Sequence, residues 1–198
     1  ASVAINARGI LDAVLGAVLA VPGVLDAYVT ENYTGSPLVV GGVTLDPHSL
    51  YVAVSGGEDQ AVARAIWTKK APGCAYNGNT TVTVYDDDPT YSPPGIPYPV
   101  TFEIPDSLPI FFAVTLQDNP AIPADALTQI QNVIVLAFAG ADGGSRARIG
   151  QPVLASRFYA PIIALGPWAQ VLRVEIGSPN GVGAEVTGSI GSSITGSI

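Results

Sequence analysis

The chain has 198 residues and a formal net charge of −8, with 8 Lys and Arg against 16 Asp and Glu. So small a basic complement offers no field for a phosphate backbone and argues against nucleic-acid binding, and apolar runs such as NVIVLAFAGA from Asn132 stop short of the ~20 residues a membrane-spanning helix needs. Hydrophobic residues reach 48% and charged ones only 12%, which predicts a folded chain that covers part of its apolar surface with neighbouring subunits.

The first residue is alanine, and no basic leader precedes an apolar stretch, so the numbered chain reads as a processed product or an excised fragment. Asn6 is a candidate N-cap for a helix that places Ile10, Leu11, Val14, Val18 and Leu19 on one stripe and ends near Val21. Pro22 and Gly23 supply the turn, and VLDAYVTEN then alternates as a strand does. A second strand is predicted at HSLYVAVSG, with Leu50, Val52 and Val54 on one face. GGEDQAVARAIWTKK carries acids at its start and Lys69 and Lys70 at its end, the charge order a helix dipole favours.

After that helix, Pro72 disfavours helical geometry at Ala71, Gly73 permits a positive φ, and Asn77-Gly78 forms a tight turn into the strand TTVTVYD. The proline-rich segment 89–99 predicts a linker or surface loop, and a domain boundary is placed there. Beyond it come two strands in YPVTFEIPDSLPIFFAVTLQ broken at Pro105 to Pro109, a helix from Pro123 to Gly140, a second helix in QPVLASRFYAPIIALG kinked or shortened by Pro161, and the strand AQVLRVEIG. The expected fold class is α+β: a helix-on-sheet unit over residues 1–88, the linker 89–99, a second such unit over 100–177, and a Gly/Ser-rich tail over 178–198. That tail reads either as a flexible end or as the first strands of a truncated element. LGAVLAVPGVLDAYVTE and YAPIIALGPWAQVLRVEI both run helix, tight turn, strand, an echo consistent with a degenerate internal duplication.

Little in the chain points to catalysis or metal chemistry. One Cys and one His are too few for a transition-metal site, and Asp86 to Asp88 lack the glycine and bidentate acid of a calcium loop. His48 and Ser49 are adjacent, but neighbours on a strand point to opposite faces and no G-x-S-x-G elbow is present. Cys74 follows a helix C-terminus, whose partial negative charge opposes a thiolate. Phosphate-binding glycine motifs are absent from the sequence, and paired-carboxylate glycosidase chemistry has acids enough but no identified site.

The run LDPHSLYVAVSGGEDQAVARAIWTKKAPGCAYNGNTTVTVYD resembles the signature of baseplate J-like proteins, structural subunits of the baseplate wedge in contractile-tailed phages. The matching residues are Pro47, His48, Ser49, Gly56, Gly57, Pro72, Gly73, Cys74, Asn77, Gly78, Asn79 and Thr80, and AVLAVPGVLDAYVTEN is similar to the family's helix-to-strand turn. The resemblance implies a non-enzymatic virion component without cofactor, made in the host bacterial cytoplasm. It would associate with itself and with other wedge proteins in a ring around the tail tube, and shift with sheath contraction. In that view the loop of Pro72, Gly73, Cys74, Asn77, Gly78, Asn79 and Thr80 is a structural signature that bends the main chain, with Cys74 filling space. The alternative is a carbohydrate- or receptor-binding module of the same particle, in which Tyr85, Tyr91 and Tyr98 stack on sugar rings. A cell-wall-degrading enzyme is the remaining class.

Overall fold

The computed structural model describes residues 10–178, 181–183, 185–187 and 192–196. The chain is α+β and divides into two compact units, the first extending to Asp106 and the second beginning at Ser107. The expected N-cap, Asn6, lies outside the described residues.

In the first unit, helix α1 (Ile10–Leu19) leads through Pro22-Gly23 into strand β1 (Val24–Asn32). A short hairpin, β2 (Leu38–Val40) and β3 (Val43–Leu45), precedes β4 (Ser49–Gly56), helix α2 (Asp59–Lys69), β5 (Ala75–Asn77), β6 (Thr80–Asp86) and β7 (Ile96–Phe102). β1 and β4 pair antiparallel, with Ala27 opposite Val54 and Asn32 opposite Ser49, while β5 runs parallel to the start of β4. Val14 and Val18, one helical turn apart, carry α1 onto the sheet. Val62, Ala63 and Ile66 do the same for α2, and Val84, Val100 and Phe102 complete the core from the β6–β7 hairpin. α2 begins where its acids were expected: the Glu58 carboxylate accepts hydrogen bonds from the amides of Gln60 and Ala61 at 3.1 and 2.7 Å, the arrangement of an N-cap. β4 is buried from Ser49 to Val54 on both faces, not only on the face of Leu50, Val52 and Val54.

One expectation is corrected here. Residues 89–99 do not join two units: β6 and β7 pair across them from Thr80↔Phe102 to Asp86↔Ile96, so the prolines form the end of a hairpin inside the first unit and enter β7 itself at Pro97 and Pro99. Proline is tolerated there because this hairpin is two-stranded, so a missing N–H need not interrupt a further ladder. The β2–β3 hairpin was not anticipated; its Gly41-Gly42 turn, with φ of 54° and 84°, joins two strands of three residues each, too short to show a period.

The second unit contains β8 (Asp106–Leu116), α3 (Ala126–Phe138), β9 (Pro152–Leu154), α4 (Ser156–Ile163), β10 (Val171–Ser178), β11 (Gly181–Gly183), β12 (Glu185–Thr187) and β13 (Ser192–Gly196). Its main sheet has the order β11-β10-β8-β13, and β9 pairs with β12. Ile110, Val174 and Ile176 from the sheet meet Ile130, Ile134, Phe158 and Ile162 from the helices. Phe112 packs edge-on against Phe158 at 4.7 Å and against Phe138 at 6.5 Å between ring centroids. The predicted strand break ends at Pro105, and β8 runs through Pro109, which precedes the pairing with β10 that begins at Phe111. Pro161 lies inside α4, which is eight residues long, within a segment read from the sequence as a helix kinked or shortened by that proline. The described parts of the 178–198 tail pair with β9 and β10 or join the sheet beside β8, so the tail contributes strands to this unit.

The turn between α1 and β1 meets the end of β4 closely. Gly56 has φ +78°, and a Cβ there would fall 2.4 Å from the Gly23 carbonyl oxygen, whereas Gly73 has φ +75° with nothing within 4 Å. Gly73→Ala should therefore cost only the left-handed penalty, about 1 kcal/mol, and Gly56→Ala clearly more, about 2 kcal/mol or above, as read from denaturant midpoints at constant slope.

Candidate functional site

The residues of the signature segment converge on one end of β4. At the exit of α2, the backbone N–H of Lys70 still bonds to Ile66, and the chain then leaves helical geometry; the Lys70 ammonium donates to the Cys74 carbonyl at 2.9 Å and sits 4.6 Å from the centre of the Tyr76 ring. Pro72 and Gly73 make the reversal between them, and Cys74 is half-buried against the core of the first unit with its thiol on the Ala75 carbonyl at 3.3 Å.

Asn77 ends β5 and ties two other segments together. Its side-chain oxygen accepts from the Asp46 amide at 3.0 Å, and its NH2 donates to the Ser49 hydroxyl, which in turn donates to the Asp46 carbonyl at 2.5 Å. Asn32, buried at the end of β1, joins the same turn: its NH2 donates to the carbonyls of Ser36, Leu45 and Asp46, and its oxygen accepts from the amide and hydroxyl of Thr34. His48 lies between these ties with φ 52°, the one described non-glycine residue of positive φ. Its amide donates to Thr34 and its carbonyl accepts from Ala75.

Gly78 and Asn79 perform a second task. A Cβ at Gly78, whose φ is +153°, would lie 2.2 Å from the carbonyl carbon of Phe102, so only glycine lets the two backbones meet. Asn79 then brackets Ile104 as a peptide group would: its oxygen accepts from the Ile104 amide at 2.9 Å and its NH2 donates to the Ile104 carbonyl at 2.9 Å. The Asn79 NH2 also reaches Glu103 Oε1 at 3.0 Å, its amide bonds to Phe102, and Thr80 donates to the Asn79 side-chain oxygen. Held in this way, Glu103 extends the sheet beyond β5, donating to the Val52 carbonyl at 2.8 Å and accepting from the Val54 amide at 2.9 Å.

Glu31, Asn32, Tyr33, His48, Ser49 and Cys74 line one shallow depression, the place where nucleophilic chemistry would have to be assembled. The Ser49 proton is committed to Asp46 and its lone pair to Asn77, and no hydrogen bond links the His48 ring to Ser49 or Cys74. This arrangement lacks the nucleophile-to-base contact that acyl transfer requires. No group of three or more His, Cys, Asp and Glu side chains among the described residues is placed to hold a metal ion, and no described helix is long and apolar enough to cross a membrane.

At the hairpin end, Asp87 pairs with Arg64 at 2.5 Å, which holds its carboxyl below the usual range, while Asp88 accepts from the amide and hydroxyl of Thr90. Tyr98 packs its ring 5.4 Å from Trp67 of α2, and Tyr85, Tyr91 and Tyr98 are all exposed. In the second unit, a cleft of about 240 Å³ lies among Phe138, Arg146, Val153 and Arg157, and Arg157 is paired with Asp142 at 2.5 Å. Sequence reading missed Asn32, Lys70 and Glu103 as members of the loop's network. Asn32 carried a faint signal, a polar residue closing a strand before T-G-S-P; Glu103 carried none.

Compared with known proteins, the chain matches no family model and no curated protein.

Desolvation raises the Glu103 carboxyl above the ordinary glutamate range, Asp106 adds to this, and the Asn79 hydrogen bond opposes it. A carboxyl that holds its proton more tightly folded than unfolded costs stability as pH rises from the unfolded value through the folded one, and the cost is full above both. Glu103→Gln, which keeps the acceptor for Asn79, is expected to melt higher than the parent at pH 7, with the difference closing towards pH 3. Asn79→Ala should cost about 1–2 kcal/mol and speed exchange of the Val54 amide, whereas Thr80→Ala should leave that amide nearly unchanged, both read by hydrogen exchange.

Proposed function

We propose that the chain is a structural subunit of a contractile phage tail, a baseplate J-like component that joins copies of itself and neighbouring wedge proteins around the tail tube and shifts with sheath contraction. It resides in the virion after synthesis in the host cytoplasm, needs no cofactor and turns over no substrate. One observation carries the reading: the side chains of Ser49, Asn77 and Asn79 are spent on holding main chain and one another. A segment that resembles a family signature, yet presents its polar groups inward to its own backbone, suits a part whose shape is its function. Large apolar side chains also stand exposed in both units, with Leu25 and Val39 at 67%, Leu127 at 69% and Leu172 at 62%, surface that neighbouring subunits could cover.

Antibodies raised against the chain, applied to contractile-tailed particles from lysates of the cells that encode it, should label the distal end of the tail sheath. Intact particles without label there would sink the assignment. Binding to a glycan array that disappears with Tyr91→Ala would instead favour the sugar-binding alternative, since Tyr91 is one of the three exposed hairpin tyrosines and makes no ring contact with Trp67.

A further inference from the structure

We propose that the cleft of about 240 Å³ in the second unit is a binding site for a small carboxylate with an apolar body, the body meeting Phe138, Val153 and Phe158 and the carboxylate accepting from Arg157. Among the described residues two buried side-chain polar atoms have no hydrogen-bond partner, the Tyr76 hydroxyl and Arg157 Nε, and the second belongs to a wall of that cleft.

Both hydrogen bonds of Arg157 leave from one nitrogen, Nη2, which donates to Asp142 Oδ1 at 2.5 Å and to the Ala137 carbonyl at 3.4 Å. A guanidinium carries five donors, and a buried donor without an acceptor costs stability that a bound acceptor offsets. The loop after α3 also covers this side chain. It bends through Gly140 and Gly143, with φ of +74° and +84°, and brings Gly144 so close that a Cβ there would fall 2.2 Å from Nη2 and 2.5 Å from Cζ. Main chain therefore lies directly against the guanidinium and keeps water from it on that side. A charge-assisted hydrogen bond is strengthened in such surroundings.

The walls define the ligand. Phe138 and Phe158 stand with their ring planes 22° apart and their centroids 6.5 Å apart, and Ala147 and Val153 continue the apolar lining. A cavity of roughly 150 Å³ accommodates a benzene ring, so 240 Å³ leaves space for a ring, a short link and a carboxyl group. The charge points the same way: between Asp125 and Glu175 the sequence holds four arginines and one acid, Asp142, in a chain of net charge −8. Arg146, which has an interaction of its own, also lines the cleft and adds to this positive field. A carboxylate satisfies a guanidinium donor more strongly than a neutral amide or hydroxyl does. The inference goes beyond the virion reading without resting on it, because a ligand site in this unit and a place in the tail can each fail alone.

The test is NMR on the full chain, titrated with 3-phenylpropionate and, in parallel, with 3-phenylpropionamide, which has the same body and no charge. The Arg157 Nε–H signal should move downfield with 3-phenylpropionate, together with the amides of Arg146, Ala147 and Val153, and saturate with a Kd of ~1 mM or below, a modest but specific affinity. The uncharged compound should bind about tenfold more weakly, the difference between a charge-assisted and a neutral hydrogen bond. Arg157→Lys, which keeps the charge and loses the Nε donor, should weaken 3-phenylpropionate binding by about tenfold and 3-phenylpropionamide binding by less. If that variant unfolds, the comparison of the two compounds on the unaltered chain decides. Four results would overturn the proposal: no saturable shift up to ~10 mM 3-phenylpropionate, a decade beyond the weak end of specific affinity; equal affinity for the two compounds, which would make the cleft merely apolar; the same shifts with inorganic phosphate, which would make them a response to any anion; or unchanged binding in a folded Arg157→Lys.

Discussion

The close approach of Gly78 to Phe102 is the contact on which the first unit depends. Without a Cβ at Gly78 the two backbones meet, Asn79 can grip Ile104 on both its N–H and its C=O, and Glu103 is delivered to β4 as a further sheet neighbour. The β6–β7 hairpin is thereby fixed to the sheet by main-chain bonds as well as by burial of Val84, Val100 and Phe102. A flexible polar side chain acts here as a surrogate peptide group, and its usefulness follows from having one donor and one acceptor at peptide-like spacing.

The same economy governs the other end of β4. Asn32, Ser49 and Asn77 come from three separate segments, and each uses its side chain to satisfy carbonyls or amides of the 34–46 turn. Buried backbone groups that leave a ladder must find partners, and here the partners are asparagines and a serine. This explains why His48, Ser49 and Cys74 share a depression without forming a relay: the hydroxyl between them already has a donor and an acceptor. Chemistry and architecture compete for the same atoms, and architecture holds them.

Local patterns in the sequence were legible wherever a single periodic segment decided the outcome. α2 is bounded by its own charges and by Pro72, and β1 follows the Pro22-Gly23 turn, because dipole complementarity, capping and proline stereochemistry act within a few residues. The proline-rich segment misled for a matching reason. Prolines forbid a central strand but not a margin, and whether Pro97 and Pro99 lie on a margin depends on where β6 runs. The echo of helix, turn and strand likewise extends only as far as α1–β1 and α4–β10; the strands gathered around β1 and β10 differ.

What the residue order determined by itself was the α+β class, the positions of the four helices to within a few residues, the poverty of charge, and the need for glycine at the bends near residues 73 and 78. All of these are consequences of propensity, periodicity or φ, which a short stretch of chain carries alone. Only the tertiary structure decided that Glu103 would complete β4, that Asn32 and Asn77 would share one turn, and that β1 would be left as a margin. Those outcomes hang on hydrogen bonds between residues far apart in the chain, as Glu103 and Val52 are, and the direction of such a bond is set by where the packed core places the backbone.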